Sequence, residues 1–162
     1  MLLRTRPHDL FKEPGWRWYY CVVATLRSIA RLVWAAPNTA LGAALVLVGL
    51  SRAHVRIVDG VLEAHGPVLA WLLTNLVPLS GGAAALTLGH VVVGRDAQSL
   101  EATRAHERVH VRQSETWGPL FVPAYLTASV AAALRGRHFY FDNRFEIEAY
   151  RGAAEHVDEG LL

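Results

Sequence analysis

The chain has 162 residues, 52 % of them hydrophobic, and a mean hydropathy of +0.23. That is room for one domain with apolar surface to spare, so membrane contact enters at the outset. Net charge is only +2 and Lys12 is the single lysine, an arginine bias that reads as GC-rich bacterial coding; without an aromatic-interleaved basic patch it excludes a nucleic-acid partner. Cys21 stands alone, which rules out an internal disulfide and a cysteine-based metal site.

Residues 1–15 are polar, end in Glu13-Pro14-Gly15, and are expected to be a mobile lead-in rather than a signal peptide. Trp16–Ala36 reads as a helix with Arg17, Arg27, Ser28 and Arg31 on one narrow arc and Trp18, Tyr19, Val22, Ile29 and Val33 over the rest. That pattern suits a helix lying in a membrane interface, or one packed on the domain with its arginines in water. Pro37-Asn38 is expected to break it. The apolar run Thr39–Leu50 that follows is too short for a ~30 Å hydrocarbon core, so a buried helix or re-entrant hairpin is expected. The chain accordingly divides into an N-terminal apolar segment, 1–50, and a metal-binding domain, 51–162.

His54–His65 carries the clearest strand signal. Asp59-Gly60 is a two-residue turn, which sets Val58 against Val61, Ile57 against Leu62 and Arg56 against Glu63. Val55, Ile57, Leu62 and Ala64 then share one face and the Arg56–Glu63 pair lies on the other. Pro67–Leu79 is predicted as a helix or apolar loop, and Ala84–Val93 as one strand. His90 within it is a ligand, an oxyanion donor or simply structural.

Asp96 is the predicted cap of a helix over Ala97–Glu115. This helix carries His106-Glu107-Arg108-Val109-His110. Residues four apart share a helix face, so the two imidazoles can converge on one cation such as zinc. Glu107, about 100° around, can take a proton from a water on that cation. Arg104, Arg108 and Arg112 form an opposite stripe that meets water, lipid phosphate or an acidic partner. After a turn at Trp117-Gly118-Pro119, Leu120–Leu134 is an apolar helix ended by Arg135-Gly136. His138 and Tyr140 can each steady an oxyanion, or pack within the aromatic run 138–141. Asp142 or Asn143 caps a last helix, and the tail from about Asp158 is expected to fray. Glu146, one turn into that helix, is either a third ligand or the partner in a capping box; Glu148 points about 200° away and is the fallback ligand.

H-E-R-V-H-V-R-Q at 106–113 with N-R-F-E-I-E-A-Y at 143–150 resembles the gluzincin group of zinc metallopeptidases. It is most similar to minimal "minigluzincin" forms and to membrane-associated peptidases whose second motif reads E-x-x-A-D or E-x-E-A. The resemblance spans about the last 70 residues. It implies zinc held by His106, His110 and Glu146, with Glu107 as general base, and an edge strand that binds extended substrate. Tyr150 departs from the pattern, standing where several relatives carry an Asp that orients a ligand histidine. The expectation is thus a small α+β zincin-like domain, with a hairpin and edge strand packed on helices plus apolar N-terminal helices. Its expected activity is zinc-dependent hydrolysis of a peptide or protein substrate at a membrane. The alternative is a catalytically inactive, zinc-stapled membrane module.

Overall fold

A computed structural model describes residues 14–159. The expected lead-in up to residue 13, and the tail beyond residue 159, lie outside the described residues. The fold is mixed α+β. Its elements are α1 (Pro14–Gly49), β1 (His54–Val58), β2 (Val61–His65), α2 (Pro67–Asn75), β3 (Ala85–Leu88), β4 (Val91–Gly94), α3 (Ala97–Trp117), α4 (Phe121–Leu134) and α5 (Arg144–Glu159).

The four strands form one sheet in the order β1-β2-β4-β3, parallel between β2 and β4 and antiparallel elsewhere. The β1–β2 hairpin has the register that its Asp59-Gly60 turn predicts, with φ of +47° and +78° at the two turn residues, as a type I′ turn requires. Both faces of the central strands are covered. Ala64, Val91 and Val93 pack with Val46 of α1 and with Leu69 and Leu73 of α2, while Val61 and Val92 pack with Leu100 and Val111 of α3. Burial on both faces explains the unbroken Val91-Val92-Val93 run, which alternation alone would not produce. β1 is an edge strand with less cover, and its Ile57 is 75 % exposed.

Two expectations about elements are corrected. The stretch 84–93 is a hairpin, not one strand: Leu88 pairs with Val91 across Gly89-His90. Gly89 takes φ +63° there, the left-handed first position of a two-residue hairpin turn, which glycine adopts without strain. The His90 N–H donates to Thr39 Oγ1 (3.1 Å) and so seats this turn on α1. Nor does Pro37 break the first helix; α1 runs through it. Proline removes one backbone bond, but Trp34 Nε1 donates to the Thr116 carbonyl (3.3 Å) and Asn38 Nδ2 to the Gly118 carbonyl (2.6 Å). These tertiary bonds on either side of Pro37 hold the helical path against a cost of about 3 kcal/mol. The continuous helix also changes the arithmetic of length. By length and composition, Trp18–Arg52 and the run Ala97–Leu134, which takes in both α3 and α4, are long and apolar enough to cross a membrane.

The arginine stripe meets an acidic partner inside the protein. Glu63 is only 2 % exposed, because β2 presents it to α3. Arg104 binds it bidentately (3.0 and 3.2 Å) and Arg56 reaches it from β1 (3.0 Å). Burial raises the Glu63 pKa, but hydrogen bonds from Arg104 and Arg56 more than offset that and leave it below the ordinary glutamate value,. Arg112 alone of the three stays exposed. Glu115 pairs with His90 (3.1 Å) and approaches Arg31 (3.9 Å) rather than the stripe.

Candidate metal centre

The site is assembled where α3 and α5 cross. Asp96 caps α3 by accepting the Ser99 N–H at 2.6 Å. Asn143 caps α5, with its Oδ1 accepting the Phe145 N–H at 2.9 Å. The Asn143 side chain also donates to the Tyr125 carbonyl and to Ser129 Oγ, which fixes the start of α5 against α4. The Asn143 N–H, which Glu146 would accept in a capping box, is instead taken by the Tyr140 carbonyl (3.0 Å), so Glu146 is free of that role and turns inward.

His106, His110 and Glu146 come together as the one His/Cys/Asp/Glu group among the described residues close enough to share an ion. The two Nε2 atoms lie 3.1 Å apart. Glu146 Oε2 is 3.1 Å from His106 Nε2, and Oε1 is 3.3 Å from His110 Nε2. Bonds of about 2.0–2.1 Å at tetrahedral angles put ligand atoms roughly 3.3 Å apart, so the spacing fits a zinc-sized ion. The donor chemistry fits as well. Glu146 Oε2 is buried and accepts no hydrogen bond, a condition a cation would relieve. Burial pushes the Glu146 pKa up, yet the two imidazoles beside it and the Tyr125 hydroxyl prevail and hold it well below the usual carboxylate range, so the ligand is an anion.

Three neighbours that complete the site were not singled out in the sequence. Gln113 Oε1 sits 2.8 Å from His110 Nδ1, while its Nε2 donates to the Phe145 carbonyl and to Glu148 Oε2, both at 3.1 Å. With the amide thus oriented, Nδ1 of His110 carries the proton and Nε2 keeps its lone pair for the cluster. Glu148, the fallback ligand, therefore serves Gln113 and is not at the ion site. The second neighbour, Tyr125, donates to Glu146 Oε1 at 2.6 Å. The third is Thr87 on β3, whose hydroxyl donates to Glu107 Oε2 at 2.6 Å. Gln113 lies on the face of His106 and His110 and carried a readable helical offset; Tyr125 sits in a uniformly apolar helix, and Thr87 depends on β3 packing against α3.

The remaining candidates divide. Tyr140 lines the same cavity as Glu107 and the cluster. Its burial first, then the nearby Glu146 charge, push its phenol well above the ordinary tyrosine value, so it is a permanent donor. His138 is exposed and is not brought to the site. Its Nδ1 accepts the N–H groups of Tyr140 and Phe141 (3.2 Å each), and its ring packs on Phe139 and Phe141. His90 is held by Glu115 in its turn, apart from the cluster. Tyr150, the noted departure from the pattern, packs edge-on against the His106 ring, centroids 4.6 Å apart, and gives it an aromatic wall; the group that orients a ligand imidazole is Gln113, on the other histidine.

The cavity over the cluster encloses about 730 Å³ between β3, α4 and the 76–79 loop. β3, like β1, is an outer strand of the sheet. Because Leu88 and Val91 flank a two-residue turn and exchange hydrogen bonds, the alternating pattern turns the N–H and C=O groups of Thr87 and Ala85 outward,. An unpaired strand edge therefore runs past Glu107. No family model, no curated protein and no solved structure matches this chain.

Proposed function

We propose that this protein is a zinc-dependent peptidase of gluzincin type, acting at a membrane. The single observation that carries this is the pairing of a three-donor cluster at ion-binding distances with a buried carboxylate, Glu107, beside an unpaired strand edge. Zinc, when bound, polarises a water and lowers its pKa toward neutrality. His106, His110 and Glu146 would hold the ion. An extended substrate pairs its backbone with Thr87 and Ala85, which lays a peptide carbonyl across the site. The water's proton passes to Glu107 while its oxygen bonds the carbonyl carbon. Tyr140 donates a hydrogen bond to the developing oxyanion. Glu107 then delivers the proton to the amide nitrogen as the C–N bond breaks, which leaves a carboxylic acid and an amine. Thr87 holds the carboxylate in position throughout.

The membrane assignment rests on α1. Trp18, Tyr19, Tyr20, Leu26, Ile29 and Val33 are all exposed, an apolar surface beyond what a monomer in water ordinarily carries, and aromatic residues of this kind suit a bilayer interface. A second reading, a zinc staple without activity, is favoured by the way the cluster ties α3 to α5 in a chain where these two helices share an extensive contact. The Glu107→Gln variant separates the two. The peptidase reading expects cleavage to vanish while zinc content and thermal stability persist, whereas His106→Ala loses both metal and stability. Full zinc occupancy in a wild-type protein that cleaves no member of a broad peptide library would establish the staple.

A further inference from the structure

The cavity walls carry information about the substrate that the cluster does not. Apart from Glu107 and Glu146, no Asp, Glu, Lys or Arg among the described residues lines the cavity. A pocket that grips a chain terminus needs a fixed partner for the carboxylate or the amine, because either charge is costly to bury unpaired. Among the described residues no arginine lines this one, and both of its carboxylates are engaged, Glu107 by Thr87 and Glu146 by the two imidazoles and Tyr125. The walls are instead apolar, among them Val122, Leu126, Val130, Phe139, Leu79 and Leu86. Leu76, Leu126 and Val130 line the cavity and are also 66 %, 57 % and 57 % exposed, so the mouth itself is apolar.

Resting on the peptidase reading, we propose that the site takes an internal, extended polypeptide segment whose side chains on both sides of the scissile bond are apolar. The β3 edge supplies the reason for a polypeptide: Thr87 and Ala85 present backbone donors and acceptors along one wall of an otherwise apolar cavity, and an extended main chain satisfies them in register. The uncharged walls supply the reason for apolar side chains, since a charged residue entering here finds no partner.

The test uses the zinc-loaded full chain in phosphatidylcholine vesicles. Two fluorescent peptides of equal length and identical lysine-tagged ends are compared, one with a Leu/Val/Phe centre and one with a Ser/Glu/Lys centre. Binding is read by anisotropy on the Glu107→Gln variant, so that the readout does not depend on turnover. The apolar peptide is expected to bind at least about tenfold more tightly, the scale on which apolar pockets discriminate. Adding Leu126→Glu or Val130→Glu is expected to remove that advantage without changing zinc stoichiometry or the melting temperature. Leu134→Glu, at an 83 % exposed position of the same helix that does not line the cavity, is expected to leave it intact. Equal binding of the two peptides, or an equal loss in the Leu134 variant, overturns the proposal. Occupation by a co-purifying acyl chain with no peptide binding overturns it too. Wild type that binds the apolar peptide without cutting it defeats the peptidase reading and leaves this one standing. Cleavage of both peptides with equal kcat/KM does the reverse.

Discussion

Removing the Gln113 amide tests whether the ligand geometry depends on the residues behind it. Gln113→Leu keeps roughly the same volume at a position only 4 % exposed, and it deletes the contact to His110 Nδ1 together with both donated bonds. The Phe145 carbonyl keeps its partner within α5, so the group left stranded is the His110 Nδ1–H. An unsatisfied buried donor costs about 1–3 kcal/mol. Without its acceptor, His110 can also rotate or change tautomer, and loss of such a partner weakens metal affinity by about 10–100-fold. Gln113→Glu is the informative companion. It retains an acceptor for Nδ1–H but loses the donor to Phe145 and sets a second carboxylate beside Glu148, so it should recover most of the zinc affinity while remaining less stable than wild type. Competition with a fluorescent zinc chelator reads affinity, and melting in excess EDTA reads the stability of the metal-free chain. A Gln113→Leu protein with wild-type zinc affinity would refute the argument that Gln113 sets the tautomer of His110.

Zinc removal itself should matter to the fold. Because the cluster ties α3 to α5, zinc at a hundred times its Kd contributes about 2.7 kcal/mol; stripping it should lower Tm by about 5–10 °C for a chain of this size, and an unchanged Tm would show that no ion is bound there. Gly42→Ala should destabilise, although alanine in an exposed helix gains about 1 kcal/mol over glycine: the new Cβ would sit 2.6 Å from Val91 Cβ and 2.9 Å from the Leu88 carbonyl. A higher Tm for this variant would contradict the docking of α1 on the β3–β4 hairpin. Glu63→Gln should cost about 1–3 kcal/mol, reduced by solvent screening because Arg56 is substantially exposed,. Since folding lowers the Glu63 pKa, its contribution is fully present above the unfolded value of about 4.3 and disappears as pH falls through the lower folded value. Urea titrations of wild type and variant should therefore differ at pH 7 and converge in acid.

The contacts decided locally were legible in the residues alone. A two-residue Asp-Gly turn dictates the β1–β2 register because the backbone allows few hairpin geometries there. Asp96 and the four-residue spacing of His106 and His110 likewise follow from helix geometry, which needs no information about what lies opposite. What the tertiary structure decided are the choices between two locally acceptable states. Glu146 could cap its helix or face the histidines, and the outcome turned on the Asn143 N–H, which the Tyr140 carbonyl accepts and so leaves Glu146 nothing to cap. Pro37 could end α1 or be carried through it, and bonds from Trp34 and Asn38 to residues about 80 positions away carried it through. The 84–93 stretch could remain one strand until Gly89 was required to turn against Thr39. Arg104 has no local reason to be buried; it is drawn in because pairing with β4 makes β2 a central strand, and the face that carries Glu63 lies under α3 without water. In each case the local preference differs by only a few kcal/mol, and contacts between segments distant in sequence exceed it.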